Sequence, residues 1–221
     1  MPEVAPLGIY GGTFDPVHFA HLRLAEEARQ QLGLAEVLWL PAGQPKHRVE
    51  PRCAPQHRLA MVRLAIADNP AFRLDDSEAL APTPSYTVPT LERLRTLQGA
   101  ARPLVLLLGA DAFLGLAGWH RWRELFSLAH LAVATRPGST LDTAAMPAEL
   151  AAEFSRRWLD STEADAKQWM QAAAGTIQTF QMAALDISAT ALRAALASGR
   201  SVRYLAPAPV VDYISRNQLY S

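Results

Sequence analysis

Cysteine is nearly missing: Cys53 is the only one among 221 residues, which excludes an intramolecular disulfide and a cysteine-rich zinc site. Neither sign of charge is in excess. Lys plus Arg and Asp plus Glu stand at 21 each, so no overall field draws in nucleic acid or an anionic membrane, and any basic site must be local. No apolar run approaches the roughly 18 residues of a membrane span, and Met1 to Leu7 lacks the basic and long apolar parts of a signal peptide. These absences predict a cytoplasmic protein with neither nucleic acid nor membrane as partner. The chain also has no G-x-x-x-x-G-K-[ST] loop and no G-x-G-x-x-G fingerprint, no internal repeat and no low-complexity linker. With 50% hydrophobic residues, the length predicts one α/β domain spanning 1–221.

The most informative stretch is Gly11-Gly12-Thr13-Phe14-Asp15-Pro16-Val17-His18-Phe19-Ala20-His21. Leu7 to Tyr10 reads as a first strand and a helical pattern begins near Val17, so the glycines occupy a strand-to-helix turn. Such a turn receives anions, because glycines admit a phosphate close to the backbone and the first N–H groups of the helix have no intrahelical acceptor. His18 and His21, three apart, share one face of the first helical turn. The helix dipole disfavours an imidazolium there by about 0.3–1 kcal/mol. One phosphate charge at about 4 Å favours it by about 4 kcal/mol at an effective dielectric near 20. The histidines are therefore expected to be neutral without a ligand and donors to phosphate oxygens with one. Taken alone, two histidines on a first turn more often are half-exposed polar residues.

Further along, Ala20, Leu24, Ala28 and Leu32 give the helix a core stripe that Gly33 closes, and Val37 to Leu40 reads as a second, buried parallel strand. The loop from Ala42 to Pro55 carries Lys46, His47, Arg48 and Arg52, either a solvated basic loop or a phosphate site at a strand's carboxyl end. Arg58, Met61, Leu64 and Ala65 mark a helix that Asn69-Pro70 ends, and Phe72 to Leu74 a third strand. Pro82 to Thr87 leads into a helix over 88–97, with Ser85 or Thr87 as candidate caps. Pro103 to Leu108 reads as a central strand. Asp111, just past Gly109, is placed either to accept ribose hydroxyls or to cap the next helix. Trp122 is expected in the core and Trp119 in a cleft. His130 to Ala134, ended by Arg136-Pro137-Gly138, and Thr176 to Phe180 are strands, and 139–175 is a variable helical region. Ser188 is suited to cap a helix bearing Arg193, alone a solvated arginine, and Pro207 and Pro209 open a last helix docking Val210, Tyr213 and Ile214.

Two motifs, G-G-T-F-D-P-x-H-x-x-H and Ile187-Ser188-Ala189-Thr190-Ala191-Leu192-Arg193, resemble the two signatures of the nucleotidylyltransferase superfamily, with Ala20 standing where the first usually has glycine. Pro45-Lys46-His47-Arg48, Ser85-Tyr86-Thr87, Gly109-Ala110-Asp111, Trp119 and Arg136-Pro137-Gly138 look like markers of its bacterial nicotinate mononucleotide adenylyltransferase branch. The resemblance implies a doubly wound parallel sheet of Rossmann-like form. It implies transfer of an adenylyl group from ATP to nicotinate mononucleotide, in NAD biosynthesis, with Mg²⁺ accompanying ATP and no metal ligands from the chain. His18, His21 and Arg193 would be catalytic. Gly11, Gly12, Thr13, Phe14, Gly109, Asp111, Arg136, Ser188 and Thr190 would join them in holding ATP. His47, Arg48, Ser85, Tyr86, Thr87, Trp119 and His120 would hold the mononucleotide, the ring stacking on Trp119. A homo-oligomer stays open. So do nicotinamide mononucleotide or phosphopantetheine as acceptor, and a non-catalytic ATP-binding module.

Overall fold

The computed structural model describes residues 5–44, 50–138, 140–159 and 171–221. Strands and helices alternate: β1 (Leu7–Gly12), α1 (Phe19–Gln31), β2 (Glu36–Pro41), α2 (Pro55–Ile66), β3 (Phe72–Leu74), α3 (Ser77–Leu80), α4 (Thr87–Gln98), β4 (Leu104–Gly109), α5 (Ala110–Leu114), α6 (Leu125–Leu128), β5 (His130–Thr135), α7 (Ala148–Arg157), β6 (Ile177–Gln181), α8 (Ala189–Ala197) and α9 (Ala208–Arg216). Parallel strands need long crossovers, and helices supply them here. The result is one all-parallel sheet of six strands, ordered β3-β2-β1-β4-β5-β6. The order reverses between β1 and β4, as in doubly wound folds. No helix of the described residues is long and apolar enough to cross a membrane.

Contacts gather the chain into two compact units. The first comprises the described residues of Met1–Tyr10, Glu26–Val37 and Tyr86–Ala183. Its centre is β4, buried from Leu104 to Leu108, registered Leu107 to Ala132 on β5, which pairs Val133 with Thr179 on β6. Val88, Leu91 and Leu94 of α4, Phe113, Trp122, Phe126 and Phe154 complete this core. A strand that is apolar at consecutive positions is stable only with both faces covered, which is why β4 sits centrally.

The second unit comprises the described residues of Gly11–Ala25, Leu38–Ser85 and Ala184–Ser221. Trp39 is fully buried between Phe14 and Phe72, ring centroids 5.3 and 5.5 Å away. Burying an indole of this size contributes on the order of 3 kcal/mol. Val62 and Met61 of α2, Leu192 of α8, and Val210 and Ile214 of α9 fill the rest.

Most of the elements that the sequence reading named end within about two residues of the observed ones, the usual uncertainty of an element's end; α3 was not among them, and some expectations need correction. The first strand runs on through Gly11 and Gly12 instead of ending at Tyr10, and the first helix begins at Phe19 instead of Val17, which leaves His18 ahead of its first turn. Neither Ser85 nor Thr87 caps α4: Tyr86 occupies the cap position without a side-chain bond, and the Ser85 hydroxyl donates instead to Glu78 Oε2 at 2.7 Å. Asp111 does not cap α5 either, since Gly109 stands at the cap and Asp111 is exposed in the first turn.

Candidate active site

The turn after β1 is shaped by its aromatic residue. Phe14 adopts φ +49°, in the left-handed region that a bulky residue rarely visits. Its buried ring packs edge-on against His21, with centroids 5.2 Å apart, as well as against Trp39. Only the Phe14 backbone is left to face a ligand. A Cβ at Gly12 would lie 2.8 Å from that ring, so position 12 needs glycine for space, whereas a Cβ at Gly11 would meet nothing nearer than Leu40 O at 4.0 Å. The approach to the backbone is open at Gly11.

His18 sits just before α1 and His21 in its first turn. Their rings stack at 3.7 Å with 29° between planes. The His18 backbone N–H donates to His21 Nδ1 at 3.2 Å. That nitrogen therefore accepts, and the ring proton of His21 belongs on Nε2. Burial, with 4% of His18 exposed, pulls its pKa down from 6.5 to about 4, so it is neutral at pH 7. Among the described residues, the buried Nδ1 of His18 and hydroxyl of Thr13 have no hydrogen-bond partner. Buried polar atoms are seldom left unpaired, and two orphans in one glycine turn suit a turn built to meet polar ligand atoms.

The second motif reaches the same turn. Ser188 caps α8, its hydroxyl accepting from the Ala191 N–H at 3.2 Å, and Thr190 is exposed in the first turn. Arg193 donates to the backbone carbonyl of Asp15 at 2.6 Å and to Thr190 Oγ1 at 3.2 Å. Arg193 is thus tied to the first motif, not loose in solvent.

Asp15 and Arg58 are the residues that sequence reasoning passed over. Arg58 is 0% exposed. Its guanidinium donates to four carbonyls: Thr13 at 2.8 Å, Ala42 at 2.5 Å, Gly43 at 2.7 Å and Cys53 at 3.1 Å. Burial lowers its pKa, opposed by the nearby negative charge of Asp15. Asp15 accepts the N–H groups of Arg52, at 2.7 Å on Oδ2, and Cys53, at 3.2 Å on Oδ1. The Tyr220 hydroxyl also donates to Oδ1, at 2.7 Å. A signal for Arg58 existed: it lies three and four residues before buried Met61 and Val62, a charge on a core stripe. Nothing local pointed to Tyr220.

The remaining candidates that the structure describes divide between the units. Gly109 and Ala134 are register partners at the carboxyl ends of β4 and β5, which puts Asp111 and Arg136 just beyond neighbouring strand ends, both exposed. Trp122 is buried, as expected, and Trp119 is half-buried, on a stretch of short 3-10 turns. His120 is exposed and its ring lies 4.7 Å from that of Tyr86, beside the α4 start at Thr87. Ser85 belongs to the second unit. Lys46, His47 and Arg48 lie outside the described residues. Among the described residues, no group of three or more His, Cys, Asp or Glu could hold a metal ion.

A family model described as cytidylyltransferase-like matches residues 9–195. A probable nicotinate-nucleotide adenylyltransferase of Dechloromonas aromatica is 56% identical over 97% of both chains, and one of Aeromonas hydrophila 47% identical over 97% of both. Among solved structures, the nicotinic acid mononucleotide adenylyltransferase of Plasmodium falciparum complexed with NaAD superposes with a TM-score of 0.72. It covers 98% of this chain and 97% of its own at 16% identity, a likeness of fold. A doubly wound parallel sheet, two signature motifs joined through Arg193, and identity along nearly the whole length place the chain in the cytidylyltransferase-like family, among its nicotinate-nucleotide adenylyltransferases.

Proposed function

We propose that this chain transfers the adenylyl group of ATP to nicotinate mononucleotide, releasing pyrophosphate and forming the dinucleotide precursor of NAD. The observation that carries the reading is the bond from Arg193 to Asp15 O. It brings the arginine of one motif onto the turn that holds the histidines of the other, 178 residues apart, and anion donors converge there.

The reaction needs no protein nucleophile. The acceptor phosphate is already anionic and attacks the α-phosphorus, while the bond to the β-phosphate oxygen breaks and pyrophosphate leaves with the electron pair. The chain's task is to align two anions and to disperse charge on the departing group. In this reading the Gly11 to Phe14 backbone, Thr13 Oγ1, His18 and His21 Nε2–H meet ATP phosphates. The open N–H groups of α8 with Ser188, Thr190 and Arg193 meet them as well. Gly109, Asp111 and Arg136 serve the nucleoside end of ATP. A neutral His18 gives a hydrogen bond to the ground state and a stronger, charge-assisted one as negative charge accumulates, which is the differential that accelerates a step.

For the acceptor, the nicotinate ring stacks on Trp119. Its carboxylate is met by N–H groups around Thr87 and His120, with Tyr86 packed on His120 and Ser85 nearby in sequence. His47 and Arg48 are assigned to the mononucleotide phosphate. Mg²⁺ belongs with ATP: it favours oxygen ligands and is commonly held by substrate phosphates. Asp15, the acidic residue of the first motif, already spends both oxygens on N–H and O–H donors. Bound with ATP, the ion supplies neutralisation of phosphate charge.

Incubation of the protein with ATP, Mg²⁺ and each candidate acceptor, with pyrophosphate release followed, tests the proposal. Release with nicotinate mononucleotide at a kcat/KM well above that for the amide and for phosphopantetheine is expected. Preference for either alternative would reassign the acceptor, and ATP binding without release would make the chain a nucleotide-binding module.

A further inference from the structure

Tyr220 lies four residues beyond α9, and the chain bends sharply to place it. Beyond α9, the Gln218 N–H donates to Ser215 O at 3.2 Å and the Leu219 N–H to Ile214 O at 3.1 Å. Gln218 and Tyr220 both take left-handed backbone angles, φ +51° and +65°. At Gln218 those two bonds form a helix-terminating turn that satisfies the last carbonyls of α9 locally, and Tyr220 takes its own left-handed angle beyond that turn. At the end of this stretch the Tyr220 hydroxyl donates to Asp15 Oδ1, across 205 residues, and also meets the Cys53 thiol.

That bond decides where a negative charge points. Asp15 Oδ2 lies 3.9 Å from Arg193 Nη1, while the carbonyl of the same residue receives that nitrogen at 2.6 Å. The arginine is therefore held by a neutral acceptor and stands just short of a close ion pair. On Oδ1 the competing donor is the longer Cys53 bond, at 3.2 Å against 2.7 Å for Tyr220. Without the hydroxyl, the carboxylate is held at one oxygen by Arg52 N–H and weakly at the other, so it can turn toward the guanidinium. An arginine neutralised by a buried carboxylate has less attraction left for phosphate.

We infer that Tyr220 is a positioning residue: its hydroxyl holds the Asp15 carboxylate off Arg193, leaving that guanidinium out of a close ion pair and aimed for a polyphosphate. The inference rests on the anion role given to Arg193 above and adds to it the C-terminal tail, which neither motif contains.

The test is a double-mutant cycle on inorganic tripolyphosphate binding by calorimetry, using the full chain, Tyr220→Phe, Arg193→Ala and the pair. Tyr220→Phe is expected to weaken binding about three- to tenfold in the parent, roughly the loss of one modest interaction, and to change nothing further once Arg193 is gone. A chain ending at Leu219 should behave like Tyr220→Phe, and one lacking Ser221 alone like the parent. Equal losses with and without Arg193 would overturn the inference, as would parent-like binding by Tyr220→Phe. Failure of both Tyr220 variants to fold would overturn it too, because the hydroxyl would then be a folding element first. A parent that binds tripolyphosphate in this coupled way but transfers no adenylyl group would leave the inference standing and remove the reaction. Transfer with an additive cycle would do the reverse.

Discussion

Acidification from pH 7 to pH 5 should destabilise this protein through His130, and the size of the effect follows from its surroundings. His130 begins β5, is 1% exposed, and has Nδ1 2.6 Å from Thr176 Oγ1 and Nε2 2.9 Å from Ala172 O. Arg95 anchors the same region, donating to Leu128 O at 2.8 Å and to the carbonyls of Arg102 and Ala173. Burial first, and the Arg95 charge in addition, lower the imidazole from 6.5 to about 4, against a partial opposing pull from Ala172 O. Between those two values the unfolded chain binds a proton that the folded chain does not, so stability rises with pH there. It is nearly complete above pH 6.5 and is lost as pH falls toward 4. With these values the linkage from pH 7 to pH 5 is about 2 kcal/mol. His18, also near 4, adds a similar share. Urea unfolding at pH 5, 6 and 7 should be measured on the parent and on His130→Gln, which retains hydrogen bonding without a titrating proton. The variant is less stable at pH 7, and its loss on going to pH 5 should be smaller than the parent's by about 2 kcal/mol. The same loss in both proteins would refute the assignment of a buried, neutral His130.

Other substitutions test the site. His18→Ala or His21→Ala should lower kcat about 10²- to 10³-fold, the scale for one donor to developing charge; a kcat within about threefold of the parent would remove that histidine from catalysis. Trp119→Ala should act on KM for the mononucleotide and leave KM for ATP near its parent value, and an unchanged mononucleotide KM would end the stacking assignment. Arg58→Met fills the same volume but strands four buried carbonyls, so unfolding free energy should fall by about 3 kcal/mol or more. Denaturant unfolding showing less than about 1 kcal/mol of loss would mean the loops do not depend on that guanidinium.

Local pattern in the sequence was enough for the alternation of strands and helices, the glycine turn with its paired histidines, the Ser188 cap and the burial of Trp122. Each of these follows from residues within a turn or two of one another: apolar runs, 3.6-residue stripes, a hydroxyl before a helix, two imidazoles three apart. The same pattern could not distinguish a solvated Arg193 from one bound to the first motif, nor tell which carbonyls the guanidinium of Arg58, a charge on a core stripe, would meet. Asp15 draws its partners from positions 52, 53 and 220, and Arg193 reaches Asp15 across most of the chain. Hydrogen bonds of that span exist only after the strands have ordered and the loops have closed, because chain separation carries no information about which donor a buried carboxylate will meet. Sequence therefore determined which polar and charged groups the two motifs carry, and the packed fold alone decided how those groups are held and aimed.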